Sequence, residues 1–397
     1  MIPIAKPYLD EREADAARRV IFSAWTTQGP EVAEFEREFA ESVSASYACA
    51  VSSCTTALHL ALLAAGVGPG HEVITVSHSY IATANSIRYC AATPVFVDVE
   101  SDTFNIDPDL IEAAINPLTR AILCVHQMGM PCDLNRIAQI AEKHSIPLIE
   151  DAACAIGSEI LWKGRWEHIG RPHGDAACFS FHSRKIISTG EGGMITTKHK
   201  DWDSRFRLLR QHGMSVPDTV RHTVNKVIFE SYVEPGFNYR MTDLQAAIGR
   251  EQLKRLPEIV IHRRVMATMY RVFLADVPGL GLPAEPEWAR SNWQSYCVRL
   301  PEDCNQRDIM QALLDRQIAT GRGIMCVHRE QVYENQLWRA VGPLDRSERA
   351  QDKCILLPLY HQLEHRERQF IADQLRAAIT ANCSPGSVLD PLASSGA

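Results

Sequence analysis

The sequence predicts an α/β fold built on a mostly parallel sheet, and two observations predict it. Between residues 31 and 249, short runs rich in Val and Ile alternate with helical patterns, the signature of β-α units. Most of those runs are almost wholly apolar, as strands covered on both faces must be. Seven strands are expected, at 47–51, 72–76, 94–97, 121–125, 147–149, 177–181 and 194–197. Helices are expected between them at 56–65, 81–90, 108–114 and 134–144, each opening near a Thr, Asn, Asp or Pro. A long helical pattern over 245–273 leads to a stretch with Pro278, Pro283 and Pro286, read as the passage to a smaller α+β domain. The expected division is a large domain over 1–250 with an N-terminal arm at 1–14, a small domain over 251–383, and a mobile tail at 384–397, SPGSVLDPLASSGA.

Composition narrows the class. With 46% apolar and 22% charged residues in 397, the chain has the balance of an ordinary globular protein and enough length for two domains. A formal charge of −7 gives no basic field for a polyanion, so no nucleic-acid partner is expected. The 12 cysteines are scattered singly, with no CxxC pair and no zinc-ligand spacing, which predicts no metal site and suits a reducing compartment. The N-terminal segment lacks the apolar core of a secretory signal, and no run of about 18 apolar residues is present. A cytoplasmic protein with no membrane partner is the expectation.

In an open α/β sheet, ligands sit beyond the carboxyl ends of the strands, so the residues just after each apolar run are the informative ones. After the first run, Ser52, Ser53, Cys54, Thr55 and Thr56 enter a helix directly, pointing backbone N–H groups and hydroxyls at an anion. After the second stands Tyr80, an aromatic ring able to stack on a flat heterocycle. The run IPLIE ends in Asp151, and the run ending near Phe181 is followed by Arg184, Lys185 and the turn TGEGG. Singly these have ordinary readings: Asp151 as the N-cap of AACAI, Lys185 as a solvated lysine, Tyr80 as a core aromatic, residues 52–56 as a plain helix cap. Together they are what pyridoxal 5′-phosphate (PLP) requires: an amine for its aldehyde, a carboxylate for its pyridine nitrogen, an aromatic platform and a phosphate seat. Burial beside a second cation such as Arg184 is expected to lower the pKa of Lys185 and leave it partly neutral.

The segments TQGPEVAEFEREFA, CTTALHLALLAAGVGPGHEVI, IATAN, ATPVFVD, IEDAACAIGS, GDAACFSFHSRKIISTGEGGMITT and GFNYRMTDLQAAIG occur in this order. From about Lys6 to Gln362 the chain resembles the DegT/StrS sugar aminotransferases of PLP fold type I. That resemblance implies that Lys185 is the Schiff-base lysine, that Asp151 pairs with the pyridinium nitrogen and that Tyr80 stacks on the ring. It further implies phosphate contacts from Cys54, Thr55 and Ser180, and from Asn238 of a second copy, hence a homodimer with shared active sites. Two departures stand out: many members carry glycine or alanine where this chain has Cys54, and an amide or histidine where it has Cys154. At Cys154 a contact to the cofactor's phenolic oxygen and a small packing role are both open.

The resemblance implies an amino group moving from an amino acid, L-glutamate in the family, to a keto-sugar, mostly a nucleotide-diphosphate keto-deoxysugar. Lys185, freed from the cofactor, would carry the proton in each half-reaction. TGRGIMCVHRE, with Arg322 and His328, and the stretch holding Trp25 and Gln28 resemble family segments near the sugar-nucleotide site. Other readings are a keto-cyclitol aminotransferase, a dehydratase of the same family, and a non-catalytic regulator on the same scaffold. The dehydratases resemble this chain with histidine at the lysine position, which Lys185 argues against.

Overall fold

The computed structural model describes residues 1–216 and 229–382. In chain order its strands are β1 Tyr47–Val51, β2 Glu72–Val76, β3 Thr93–Val97, β4 Thr119–Val125, β5 Leu148–Asp151, β6 Glu159–Trp162, β7 Arg165–His168, β8 Ala176–Ser180, β9 Gly193–Thr197, β10 Ala289–Arg290, β11 Tyr296–Arg299, β12 Gly321–Arg322, β13 Arg339–Ala340 and β14 Cys354–Leu357. The main sheet runs β1-β9-β8-β5-β4-β2-β3-β13. Its strands from β8 through β5, β4, β2 and β3 to β13 are parallel, and β9 is antiparallel to both its neighbours. Seven of the eight are the strands the apolar runs predict; the eighth, β13, is a two-residue edge strand from far along the chain.

The apolar runs are continuous because the sheet is covered on both sides. Ala48, Ala50, Ile74, Val76, Ile122 and Phe179 join one core, and the alternate residues Cys49, Val51, Val73, Leu123 and Cys178 join another. Helix Pro30–Val43 and the first half of helix Asp243–Leu274 cover one face, and helix Cys54–Ala64 the other. A separate core joins Met266, Tyr270 and Leu274 of the long helix to Val298, Ile355, Leu313 and Leu375, around the antiparallel sheet β11-β14-β12.

The expected division at residue 250 therefore falls inside one unbroken helix. Leu253, Leu256, Ile259 and Val260 pack on the main sheet, and the change of core comes after them. An amphipathic period shows that a face is buried, not against which partner, so sequence could not place this boundary. Two further segments cross the expected line. Val327, Tyr333 and Leu344 pack with Ala84 and Phe96 of the sheet region, and Ile2 of the N-terminal arm pairs with Ile318. The hairpin β6–β7, capped by β10, was not anticipated from the sequence. The expected mobile tail at 384–397 lies outside the described residues.

Strand register aligns the carboxyl ends that matter. Val125 pairs with Asp151 and Asp151 with Cys178, while Gly193 is paired on one side to Ser180 and on the other to Val51. The residues following β1, β5 and β8 therefore converge on one edge of the sheet.

Candidate active site

The helix Cys54–Ala64 begins at this edge. Ser53 caps it: its Oγ accepts from Thr56 N at 3.2 Å, and Thr56 Oγ1 accepts from Ser53 N at 3.2 Å. The cap occupies the hydroxyls of Ser53 and Thr56. The Cys54 thiol turns inward, 3.5 Å from Cys178 O and 4.0 Å from Asp151 Oδ1. The cap leaves the N–H groups of Cys54 and Thr55 and the Thr55 hydroxyl available at the helix N-terminus, a seat where an anion is favoured. Ser180, at the end of β8, is buried beside it.

Gly193 keeps this seat open. A Cβ there would stand 2.5 Å from Ser53 O and 2.8 Å from Cys54 N, both backbone atoms. Gly193→Ala is expected to cost roughly 1–3 kcal/mol of stability by overpacking. It should also weaken phosphate-group binding; thermal melts with and without added cofactor would measure both effects.

Asp151 is 5% exposed. Its Oδ2 accepts from Thr83 Oγ1 at 2.8 Å and its Oδ1 from Ala153 N at 3.2 Å. Burial pushes the carboxyl above its ordinary pKa, against the pull of Thr83, the Ala153 N–H and the more distant Lys185 charge. Among the described residues it forms no ion pair. The segment after it is a turn rather than a helix, so the N-cap reading of Asp151 gives way to a turn closed by the Ala153 N–H. The neighbouring Glu150 points the other way, accepting from His173 N, Gly174 N and His126 Nε2 at 2.9–3.1 Å. His126 Nδ1 accepts from Cys132 N at 3.0 Å, which assigns the ring proton to Nε2. His126 N also donates to Asp151 O at 3.1 Å, locking the strand end that carries the acid.

Lys185 sits in a turn closed by its own N–H to His182 O at 2.8 Å. Its Nζ lies 3.0 Å from the Cys154 Sγ. This contact sets the Cys154 thiol beside the amine. Burial lowers the Lys185 pKa, but Cys154, Cys54 and Asp151 raise it, and the net direction is upward. The expectation of a lowered value is thereby reversed. The Arg184 side chain is exposed to solvent, and the groups facing the amine are thiols and a carboxylate. Without cofactor, Lys185 is a cation that must release its proton before it can attack an aldehyde.

The remaining expected residues are placed less closely. Tyr80 is 67% exposed, just past β2 and beside the Thr83 that holds Asp151. Asn238 is exposed, with its Oδ1 accepting from Arg240 Nε at 3.2 Å, while the adjoining Tyr239 O accepts from Ser52 N at 2.8 Å next to the anion seat. Trp25 Nε1 donates to Gln28 O at 3.1 Å, and Asp243 ties down this loop through Gly29 N at 2.7 Å. Trp25 and Gln28 thus meet each other in a loop that Gly29 fastens to the start of the long helix. His328 is held at both ring nitrogens, by Ser77 Oγ at 2.6 Å and Glu348 Oε1 at 3.0 Å, and Arg322 pairs with Glu330 at 3.0 Å. His328 therefore anchors its segment to the loop after β2.

The sequence reading did not single out Thr83, which donates to Asp151, Asn292, which donates to Cys154 O, or Gln294, which is bonded to the backbone on either side of Lys185. Only Thr83 left a signal, inside the motif IATAN. A groove of about 790 Å³ lies elsewhere, lined by Pro147, Leu148, Gly174 and Asp175 at the amino ends of the parallel strands. Sheet geometry favours the opposite edge, where the acid, the amine and the helix N-terminus meet.

The sequence profile of the DegT/DnrJ/EryC1/StrS aminotransferase family matches residues 7–376. The chain belongs to this family. It is accordingly an aminotransferase, of a family that depends on PLP. The chain is similar to the spore coat polysaccharide biosynthesis protein SpsC of Bacillus subtilis (strain 168), at 36% identity over 94% of this chain and 96% of SpsC. Among solved structures it resembles the aminotransferase TlmJ from Streptoalloteichus hindustanus, with 32% identity, a TM-score of 0.87, and 96% and 99% of the two chains covered. It also resembles the PMP form of Spr1654 from Streptococcus pneumoniae, with 28% identity, a TM-score of 0.88, and 96% and 100% covered. Among the described residues no helix is long and apolar enough to cross a membrane.

Proposed function

We propose that this member of the DegT/DnrJ/EryC1/StrS family binds PLP through Lys185 and transfers an amino group from an amino acid, L-glutamate, to a keto-sugar. The acceptor in this reading is a nucleotide-diphosphate keto-deoxysugar. The observation that carries it is the meeting, at one sheet edge, of Lys185, a buried Asp151 without an ion partner and a helix N-terminus whose cap leaves the N–H groups of Cys54 and Thr55 free. A buried carboxylate without a cation is costly unless a ligand supplies one, and a protonated pyridine nitrogen is such a ligand. The part SpsC plays in spore coat polysaccharide biosynthesis supports a sugar acceptor.

When bound, PLP supplies an aldehyde and an electron-withdrawing ring. The chain's own residues do the rest. The N–H groups of Cys54 and Thr55 and the hydroxyls of Thr55 and Ser180 would hold a phosphate. Asp151, oriented by Thr83, would keep the ring nitrogen protonated, and Tyr80 would cover the ring. Lys185 holds and moves a proton at Nζ, with the Cys154 Sγ as the nearest group to share it. In this reading a second copy completes the site with its own Asn238. The exposure of Phe229, Tyr232 and Val233, just before that residue, supports an interface there.

Adding L-glutamate to the PLP-loaded protein is expected to convert its visible absorption band to that of the pyridoxamine form. Screening keto-sugar nucleotides against keto-cyclitols would then identify the acceptor. A band that glutamate does not move would remove glutamate as donor, and failure to bind PLP at all would overturn the reading.

A further inference from the structure

The amine and the thiol that face each other are carried by two different loops, and both loops are held by one short segment. Gln294 brackets Lys185: its Nε2 donates to Arg184 O at 2.7 Å and its Oε1 accepts from Ile186 N at 3.1 Å, the peptide groups on either side of the lysine. Asn292 does the same service for the other loop, its Nδ2 donating to Cys154 O at 2.8 Å and to Ile156 O at 2.7 Å. The two amides are also tied to each other, because Asn292 Oδ1 accepts from Gln294 N at 2.8 Å.

Between them Trp293 has a φ of 53°, a left-handed conformation that a bulky residue adopts only under constraint. The constraint is visible. Buried Arg263, on the long helix, donates from Nε to Trp293 O and from Nη2 to Gln294 O, both at 2.8 Å. Asn292 N donates to Ser158 Oγ at 3.0 Å, and that hydroxyl donates to Gly129 O at 2.7 Å. Gly129, at φ 94°, approaches so closely that a Cβ there would collide with the Asn292 side chain. Strain held this firmly beside a reactive group is a mark of positioning.

We propose that Asn292 and Gln294 are positioning residues for Lys185, holding the amine loop and the Cys154 loop in register so that Nζ and Sγ stay in contact. This rests on the reading of Lys185 as the cofactor lysine. Neither amide is within reach of the amine itself by any contact the structure shows; each acts through backbone.

The test uses Gln294→Glu and Asn292→Asp, near-isosteric variants that lose the donors to Arg184 O and Cys154 O. In cofactor-free protein, the pH dependence of Cys154 alkylation by iodoacetamide is read by peptide mass spectrometry, alongside far-UV circular dichroism and melting. In wild type the amine 3.0 Å from the thiol sets the reference alkylation profile. Both variants are expected to change that profile, because the amine no longer stays against the thiol, and to lower kcat about 10- to 100-fold, as a displacement of about 1 Å can, with little change in KM. Taking kcat per cofactor-loaded site, and the alkylation profile only at temperatures below the melt, separates positioning from loss of fold, which would lower the number of loaded sites and leave the kcat of each unchanged. Gln294→His, which keeps a ring donor, covers the case in which Gln294→Glu does not fold, and partial recovery of the profile is expected. An alkylation profile in folded variants that matches wild type would overturn the proposal. Absence of PLP binding by wild type would instead count against Lys185 as the cofactor lysine.

Discussion

Lys185→Ala is expected to abolish the visible band of the PLP-loaded protein and to lower turnover by at least about 10⁴-fold, the upper range for removing a positioned acid-base group. The effect should be this large because one side chain carries both duties, holding the aldehyde and moving the proton, and its nearest neighbour is no substitute. Cys154 lies 3.0 Å from Nζ but is anchored by a different loop, and a thiol cannot form an imine. The phosphate seat and Asp151 are untouched by the change, so the variant should still bind PLP reversibly. Absorption spectra before and after gel filtration would show this: a band that survives would mean that another lysine holds the cofactor. Exogenous methylamine should restore part of the proton transfer if the cavity left by Lys185 admits it.

Asp151→Asn carries the second-largest effect, with turnover falling about 10²- to 10³-fold, the size expected when one preorganised charge is removed from a buried site. Its stability signature runs opposite to its activity. The folded-state pKa of Asp151 is raised by burial, so its favourable contribution is present below the unfolded carboxylate value and is lost as pH rises through the folded one. At neutral pH the cofactor-free protein holds a buried charge without an ion partner. Asparagine keeps the acceptor for Thr83 and removes that charge. Melting temperatures of the cofactor-free variant should therefore exceed wild type at about pH 7 and converge with it toward about pH 4. Bound PLP should reverse the order at neutral pH, because a pyridinium gives the aspartate its missing partner. Equal cofactor-induced stabilisation of both proteins would remove Asp151 as the ring-nitrogen partner.

Much of the scaffold could be read from the chain alone, and the reason is local. Runs such as EVITV and AACFS are apolar at most positions and buried at all of them, a pattern that a strand covered on both faces sustains. Such runs have ends that a reader can find, and sheet geometry says that ligands gather there. That is how Asp151, Lys185, Tyr80 and the residues 52–56 could be selected without knowing the strand order. The motif segments then identified the family across nearly the whole chain.

What the sequence by itself determined is therefore the element types, the carboxyl-end residues, and through them the family and its chemistry. Tertiary structure alone decided which of those residues touch. The order β8-β5-β4-β2 brings Thr83 to Asp151 across 68 residues of chain and Cys154 to Lys185 across 31. The amide of Gln294 reaches the Lys185 loop from more than 100 residues away. The long helix passes from one core to the other with no break in its period. The direction of the Lys185 pKa turned on the same point, since Arg184 is next in sequence while the thiols and the carboxylate are next in space. Periodicity and propensity act over a few residues, and charge, packing and hydrogen bonding act over a few ångströms. Only the folded chain makes those two measures of distance agree.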